Sequence, residues 1–222
     1  MNKTVLLQFV VLFIGQANAQ KVDLNPQTVT GRDVNIVNVT FLGKPAIRLD
    51  VHKAGKSFDD LAILKNTAFK NGTIEVDVAG ERKDKTDSTA RGFIGVAFRV
   101  QARDSTKRYE CFYLRLTNGR ANDQIRRNHA TQYVAIPGYD FARLRKESPG
   151  MYEAYADLEE TKWIKVKIVV HNEKAQLYIG DSSQPCLIVN ELKHGISEGA
   201  IALKTDEYTI THFRKLKISQ EE

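Results

Sequence analysis

Hydrophobic and polar residues alternate with a period of two along most of the chain. This spacing is typical of strands that bury one face and expose the other. The pattern predicts strands at residues 35–41, 46–52, 72–78, 92–100, 109–116, 163–170, 174–180, 199–204 and 211–219. The sequence His-Asn-Glu-Lys at 171–174 is typical of a hairpin turn between two of these strands.

Helical spacing occurs only at residues 139–148, so the chain is predicted to be all-β. Many strands joined by polar turns favour a two-sheet antiparallel β-sandwich of the jelly-roll type, formed by a single domain over residues 20–222. One connection, residues 133–158, is too long for a simple loop in a compact domain. We expect this long loop excursion to form one wall of a cleft.

The N-terminal residues have the composition of a secretory signal peptide. Lys3 supplies a positive charge, residues 5–14 are nearly all apolar, and residues 17–19 (Ala-Asn-Ala) form a small-x-small cleavage sequence. The apolar run is too short to span a bilayer, and no cysteine near the cleavage point could carry a lipid anchor. The sequence therefore predicts a signal peptide at residues 1–19 and a secreted or periplasmic mature chain with no membrane span.

The phase of the alternation assigns residues to the two faces of each strand. We predict that strands 72–78, 92–100 and 109–116 belong to one sheet. The outer face of that sheet then carries a set of polar and aromatic side chains: Glu75, Asp77, Arg99, Tyr113 and Arg115. Gly95 and Ala97 on the same face leave room for a ligand. The alternative is a solvated face on which opposite charges pair across strands.

Residues 118–133, NGRANDQIRRNHATQY, form a segment dense in hydrogen-bonding side chains. The segment follows the strand that carries Tyr113 and Arg115, so we expect it to lie beside the same face. Arginine suits carboxylates and vicinal hydroxyls, amides both donate and accept, and tyrosine offers a ring face to a pyranose. The ligand contacts predicted in this segment are Asn118, Gln124, Arg126, Arg127, Asn128 and Tyr133.

His129 lies in the same segment and titrates near neutrality, so it could act as an acid, a base or a ligand. Each residue of the segment also has a purely structural interpretation. One arginine could pair with Asp123 or a sheet carboxylate, His129 could be a hydrogen-bonded surface residue, and Tyr133 could cover the core. We favour a binding role because loops on a rigid sheet often carry binding groups.

The order of several strand motifs resembles the concanavalin A-like lectin/glucanase superfamily, a two-sheet jelly roll. These motifs are FKNGTIEVDV (69–78), GFIGVAFRV (92–100), the Trp-led hairpin WIKVKIVVHNEKAQLYIGD (163–181) and the closing strands GAIALK and THFRKLKIS. The chain is also similar to family 16 glycoside hydrolase-like, laminin G-like and 3-keto-disaccharide hydrolase-like domains of exported bacterial proteins. The resemblance implies a concave sheet that holds a carbohydrate ligand.

Family 16 glycoside hydrolases carry Glu-x-Asp-x-Glu on one strand, and residues 75–81 come close to this motif. Glu75 and Asp77 would share a face about 6.6 Å apart, and a retaining glycosidase needs two carboxyls about 5–5.5 Å apart. However, Glu81 comes one residue too late even for the bulged form of the motif, and the segment resembles the strand before the catalytic one. Glu75, Asp77 and His129 are the catalytic candidates.

Three functions remain open on the sequence. The first is a secreted glycoside hydrolase acting on a poly- or oligosaccharide, the second is a lectin-like module that only binds carbohydrate, and the third is a structural or protein-interaction sandwich. Two carboxyls, or a carboxyl and His129, converging in a cleft would favour catalysis. A cleft lined by tyrosine and arginine without such a pair would favour binding. The arginines of the 118–133 segment favour an anionic or oxidised sugar.

The net charge of +6 is spread among acidic residues instead of forming a basic stripe, so we predict no nucleic-acid partner. We expect a monomer. We also expect no cofactor, and no zinc in particular, because the histidines lack zinc-like spacing. A structural calcium ion, of the kind that the resemblance implies, is an alternative. Its candidate ligands are Asp84 with Asp87, or Asp59 with Asp60.

Cys111 and Cys186 are the two cysteines of the chain. In an oxidising compartment they could form a disulfide. The alternative is a pair of buried free thiols, and the spacing does not decide between them.

Overall fold

The computed structural model describes residues 19–31, 34–51, 60–103 and 106–221, which form two antiparallel sheets and two short helices. The strands are β1 (Ala19–Lys21), β2 (Val29–Gly31), β3 (Val34–Phe41), β4 (Lys44–Val51), β5 (Leu61–Leu64), β6 (Gly72–Arg82), β7 (Phe93–Arg103), β8 (Thr106–Arg115), β9 (Thr131–Ile136), β10 (Glu153–Ala154), β11 (Ile164–His171), β12 (Lys174–Ile179), β13 (Leu187–Val189), β14 (Ala200–Lys204) and β15 (Thr209–Gln220). The helices are α1 (Gln124–Asn128) and α2 (Phe141–Glu147).

The larger sheet has the strand order β13-β12-β11-β6-β15-β4-β3, with β1 paired to β15. The smaller sheet has the order β10-β9-β8-β7-β14-β5-β2. The all-β, two-sheet antiparallel sandwich of the jelly-roll type that the alternation predicts is confirmed. The hairpin at 171–174 is also present, since His171 pairs with Lys174 around a two-residue turn.

The predicted signal peptide lies outside the described residues, apart from Ala19 in β1. Within the described ranges, no helix is long and apolar enough to cross a membrane. The helix predicted at 139–148 corresponds to α2.

The inward-facing residues of both sheets form one hydrophobic core. In β6, Ile74, Val76 and Val78 are at most 1 % exposed, whereas Glu75 and Asp77 between them are partly exposed. In β8, every residue from 109 to 115 is buried, so this strand is covered on both faces. One face of the smaller sheet packs in the core, and the long excursion contributes to covering the other.

The prediction that residues 72–78 share a sheet with residues 92–100 and 109–116 is wrong. β6 lies in the larger sheet between β11 and β15, whereas β7 pairs with β8 in the smaller sheet. Alternation identifies the two faces of a strand but carries no information about its partners. Glu75 and Asp77 are therefore on a different sheet from Tyr113 and Arg115.

The prediction that Arg99 lies on the outer face is also wrong. The β7–β8 pairing shifts register at this point, and Arg99 has a φ of 53°. Such a bulge redirects the side chain that follows the pleat. Arg99 is 1 % exposed, and its guanidinium donates hydrogen bonds to residues in three connecting segments: Lys70, Asn71, Asn172 and Gly195.

Candidate functional site

A pocket of about 160 Å³ opens on the outer face of the smaller sheet, and we refer to it as the Tyr113 pocket. Its lining residues are Phe93, Tyr113, Phe141, Lys204, Asp206, Glu207 and Tyr208. β7, β8 and β14 supply the floor, the first residue of α2 supplies one ring, and the turn between β14 and β15 supplies the acids and the last tyrosine. Four aromatic rings and three charged side chains therefore meet in one concavity.

Gly95 is a buried residue of β7 that lies between two residues of the Tyr113 pocket. This residue pairs with Tyr113 on one side and with Lys204 on the other. A Cβ at Gly95 would stand 2.4 Å from the carbonyl oxygen of Phe112, so a side chain does not fit there. The β8 backbone and Tyr113 already occupy the space over Gly95, and Ala97 is fully buried, so the prediction that these two residues leave room for a ligand gains no support.

Asp206 is a buried carboxylate of the Tyr113 pocket, with 5 % of its surface exposed. In the described part of the chain, its Oδ1 atom has no hydrogen-bond partner. Burial raises the pKa of the Asp206 carboxyl to about 6, against the lowering effects of the Thr209 hydroxyl and the Lys204 ammonium. A buried acceptor without a donor is costly, so the Oδ1 atom lowers the stability of the fold around this pocket.

Arg115 supports the pocket from beneath and is 6 % exposed. Its guanidinium donates to the Tyr113 hydroxyl at 3.0 Å and to the His129 carbonyl oxygen at 2.9 Å. It also lies 5.0 Å from the centroid of the Tyr113 ring and 5.8 Å from that of Phe141. The predicted neighbours Tyr113 and Arg115 are therefore together, but Arg115 holds the aromatic wall in place instead of pointing at solvent.

A second concavity adjoins this region and contains an ion-pair cluster, which we refer to as the Glu153 cluster. The Nε2 atom of His129 lies 3.0 Å from Glu153 Oε1, and Arg145 Nη2 lies 2.7 Å from Glu153 Oε2. Burial lowers the pKa of His129, and Arg145 and Arg115 lower it further while Glu153 raises it. Arg145 also lies over the ring of Phe141, so the Glu153 cluster and the Tyr113 pocket share a wall.

The 118–133 segment lies beside the strand that carries Tyr113 and Arg115, as predicted. The contact that shows this is the hydrogen bond from Arg115 to the carbonyl oxygen of His129. Its side chains contact one another and their neighbours: Arg126 contacts Thr117 and Asn118, Gln124 donates to Asn128, Arg120 pairs with Asp157 and Glu159, and Arg127 lies on the Tyr155 ring. Asn118 is 3 % exposed. The structural interpretation therefore accounts for the contacts of these residues, and their role in binding stays a prediction.

Tyr133 is a core residue, and its predicted exposure to a ligand is wrong. The side chain has no exposed surface, and its hydroxyl donates to the Glu110 carboxylate and accepts from the backbone of Lys193. Burial raises the pKa of the Glu110 carboxyl, while its hydrogen bonds from Tyr133 and from the His194 backbone oppose the rise. Tyr133 and Glu110 thus satisfy each other inside the sandwich.

Glu75 and Asp77 are on the outer face of the larger sheet and do not meet His129. Glu75 stands opposite Lys167 and Lys217 on the neighbouring strands. Asp77 forms ion pairs with Arg214 at 3.0 Å and with Lys215 at 3.8 Å. The alternative of opposite charges paired across strands describes this face, and a catalytic centre made of Glu75, Asp77 and His129 is excluded by their positions.

Sequence reasoning missed Lys204, Asp206, Glu207 and Tyr208 as site residues, and it missed Glu153 and Arg145. The signal for the first group was present: two acids and a tyrosine follow directly after the strand at 199–204. No comparable signal marked Glu153, because β10 has only two residues and shows no alternation.

Neither proposed calcium pair gains support. Asp84 accepts hydrogen bonds from Thr86, and Asp87 accepts them from Thr89, so each carboxylate caps its own turn. Asp59 lies outside the described residues. Among the residues with described positions, no group of three or more His, Cys, Asp and Glu side chains could hold a metal ion.

The fold is shared with solved structures of low sequence identity. The carbohydrate binding module CBM66 from Bacillus subtilis matches at a TM-score of 0.53 and 13 % identity, over 86 % of this chain and 97 % of that one. A protein with a galectin-like fold from Bacillus subtilis matches at 0.53 and 11 % identity, over 84 % and 88 % of the two chains. The Emp46p carbohydrate recognition domain matches at 0.51 and 10 % identity, over 87 % and 88 %.

No protein-family model matches the sequence, and no curated protein matches it. The likeness to solved structures is therefore a likeness of fold. The order of the two sheets and the matches above agree with the resemblance seen in the strand motifs. The comparisons therefore show a shared fold, the two-sheet antiparallel jelly roll.

Proposed function

We propose that this protein binds a carbohydrate in the Tyr113 pocket without hydrolysing it. The observation that carries the proposal is the lining of the pocket, in which four aromatic rings meet the carboxyl of Asp206. Ring faces suit the C–H side of a pyranose, and a carboxylate accepts from its hydroxyls. The solved structures that share the fold include a carbohydrate binding module and a carbohydrate recognition domain.

The charges of the pocket favour a sugar without a strong charge of its own. Asp206 and Glu207 are balanced by Lys204 on the floor and by Arg115 beneath the rings. The arginines of the 118–133 segment, which suggested an anionic sugar, make ion pairs, hydrogen bonds and ring contacts within the protein. We therefore expect neutral oligosaccharides to bind in this pocket.

Glycoside hydrolysis is the second candidate, and one observation favours it. A carboxyl with a pKa of about 6 can act as a general acid near neutral pH, and Asp206 has such a pKa beside Glu207 in the same pocket. The other carboxyl–histidine pair is less suited to this role, because Arg145 and His129 already engage both oxygens of Glu153. A carbohydrate-binding module fits the structure better than a hydrolase does.

The test uses isothermal titration calorimetry to measure the binding of a panel of neutral oligosaccharides to the purified protein. In a second measurement, reducing ends are quantified after a long incubation of the protein with each oligosaccharide. We expect saturable binding and no release of reducing ends. Tyr208→Ala removes a ring that is 50 % exposed at the pocket and should weaken binding roughly tenfold, about 1.4 kcal/mol.

Tyr155→Ala is the matched control, because Tyr155 is 41 % exposed and lies outside the Tyr113 pocket, against Arg127. Binding that falls equally in both variants would count against the Tyr113 pocket. Release of reducing ends that stops in Asp206→Asn while binding persists would establish the hydrolase instead.

A further inference from the structure

A cluster of aromatic and cationic side chains lies on the outer face of the larger sheet, whereas the Tyr113 pocket lies on the smaller sheet. We refer to it as the Trp163 cluster: Phe41, Arg48, Trp163, His212 and Arg214. His212 on β15 pairs with Arg48 on β4 and with Ala79 on β6, and Trp163 directly precedes β11. Because directly paired residues share a face, these side chains lie side by side.

The rings of the Trp163 cluster are in direct contact. Phe41 stacks on the His212 imidazole with centroids 3.7 Å apart and planes at 12°, and it meets the Trp163 ring edge-on at 5.8 Å. The Arg214 guanidinium lies 4.5 Å from the centroid of the Trp163 ring. Phe41, Arg48, Trp163 and Arg214 are partly exposed, so the cluster can be reached from solvent.

Four buried nitrogen atoms of the Trp163 cluster have no hydrogen-bond partner among the described residues. They are Arg48 Nε, Trp163 Nε1, His212 Nδ1 and Arg214 Nε. His212 is 3 % exposed, so its ring nitrogen is deeply buried as well as unpartnered. Buried polar groups without partners are uncommon in native folds, and the three on Arg48, Trp163 and Arg214 are N–H donors that lack an acceptor.

The acids near the Trp163 cluster do not supply that acceptor. Asp77 is paired with Arg214 and Lys215, and Asp50 is paired with Lys83 at 2.6 Å. Within the described residues, the Nε atom of the Arg48 side chain has no acceptor. Burial and the charge of Arg48 lower the pKa of His212 to about 4, which is consistent with a patch short of negative charge.

We propose that the Trp163 cluster is a second ligand site, which binds a carboxylate or sulfate group carried on a sugar ring. Arginine N–H groups donate to such an anion, and the partly exposed rings of Trp163 and Phe41 offer apolar surface to the sugar ring that carries it. The site is independent of the Tyr113 pocket, since the two lie on the outer faces of different sheets. The protein would then contact a neutral and an acidic part of a glycan on its two faces.

Trp163 is the only tryptophan of the chain, so its fluorescence reports directly on this site. The experiment titrates the full-length protein with sodium glucuronate and with glucose 6-sulfate at constant ionic strength, with glucose as the uncharged match. We expect a saturable change in Trp163 emission with both anionic sugars and none with glucose. Inorganic sulfate that binds as tightly as glucose 6-sulfate would overturn the role of the sugar ring.

Arg48→Ala should weaken the binding of both anionic sugars at least tenfold. Arg127→Ala removes an arginine that lies on Tyr155, beside the smaller sheet, and should leave the titration unchanged. A saturable response that persists in Arg48→Ala, or the lack of any response in the unsubstituted protein, would overturn the proposal. As a readout that needs no variant, the His212 ring resonances of the unsubstituted protein should shift on adding glucuronate at pH 7.

Tyr208→Ala separates this proposal from that for the Tyr113 pocket. This variant should bind neutral oligosaccharides roughly tenfold more weakly and keep the full Trp163 response to glucuronate. If neutral sugars do not bind at all while glucuronate does, the proposed function fails and the second site stands. If the reverse holds, the second site fails alone.

Discussion

The buried carboxyl of Asp206 costs the fold stability whenever it is ionised. Its pKa of about 6 lies above the ordinary value of 3.8, so between these values the folded state holds the proton more tightly than the unfolded chain does. The free energy of unfolding therefore loses this contribution progressively as the pH rises from about 4 to about 6, and the loss is complete above that range.

Asp206→Asn should remove this pH dependence. Relative to the unsubstituted protein, we expect the free energy of unfolding of the variant to increase by roughly 2 kcal/mol between pH 4 and pH 8. Urea unfolding of both proteins at the two pH values measures the difference, and any effect of the amide that does not depend on pH cancels. The same difference at both pH values would show that the carboxyl titrates as it does in an unfolded chain.

Individual side chains were the hardest feature to place from the sequence. The alternation predicts that Arg99 lies on the same face as Gly95. The pairing of β7 with β8 shifts register between Phe98 and Gln101, and this bulge turns the Arg99 side chain inward. Tyr133 lies in β9, a strand buried at every position from 131 to 135, which therefore shows no alternation to reveal its inner face. The predicted face of Tyr113 agrees with the structure, because Tyr113 pairs with Gly95 in the regular part of the β7–β8 ladder, before the bulge.

At the level of secondary-structure elements, α2 matters because its first residue, Phe141, forms part of the Tyr113 pocket. Asp140 caps this helix by accepting a hydrogen bond from the Arg143 backbone at 2.8 Å. Asp140→Ala should lower the free energy of unfolding by roughly 1 kcal/mol, the usual cost of losing such a cap. Because the helix start also positions Phe141, we expect calorimetry to show weaker oligosaccharide binding.

Asp123→Ala provides the matched control, since Asp123 caps α1 through the Arg126 backbone at 2.9 Å and lies outside the Tyr113 pocket. This variant should lose a similar amount of stability and keep its affinity for the oligosaccharide. Equal losses of affinity in both variants would mean that α2 has no special role in the site.

Among the elements, the longer strands with alternating sequence could be predicted, and several short or uniformly apolar strands could not. β6, β11 and β15 alternate and coincide with predicted strands. β5 is a short apolar run and β9 is buried throughout, so neither has the period of two that marks a half-exposed strand. β5 and β9 belong to the smaller sheet, which carries the candidate site.

For the whole molecule, the fold class followed from the sequence but the division of strands between the sheets did not. The partners of β6 are β11 and β15, which lie far along the chain, while β7 pairs with the adjacent β8 and with β14. A local pattern contains no information on such distant pairings. This is why Glu75 and Asp77 were assigned to the wrong face, and why two separate surfaces, one on each sheet, replace the single site expected from the sequence.

Opening of the sandwich can be followed through the reactivity of the two cysteine thiols, because both cysteines are free in the structure. Burial raises the pKa of Cys111 to about 12 and that of Cys186 to about 11, and thiolates are the reactive form. We expect Ellman's reagent to label neither thiol rapidly in the folded protein and both in urea. Cys186→Ser should leave one slow thiol, which reacts only as fast as the sandwich opens around Cys111. The opposite outcome is a protein that, purified without reductant, shows no thiols in urea. Such a protein would contain the disulfide, and a fall in its urea midpoint on adding dithiothreitol would show that the disulfide contributes to stability.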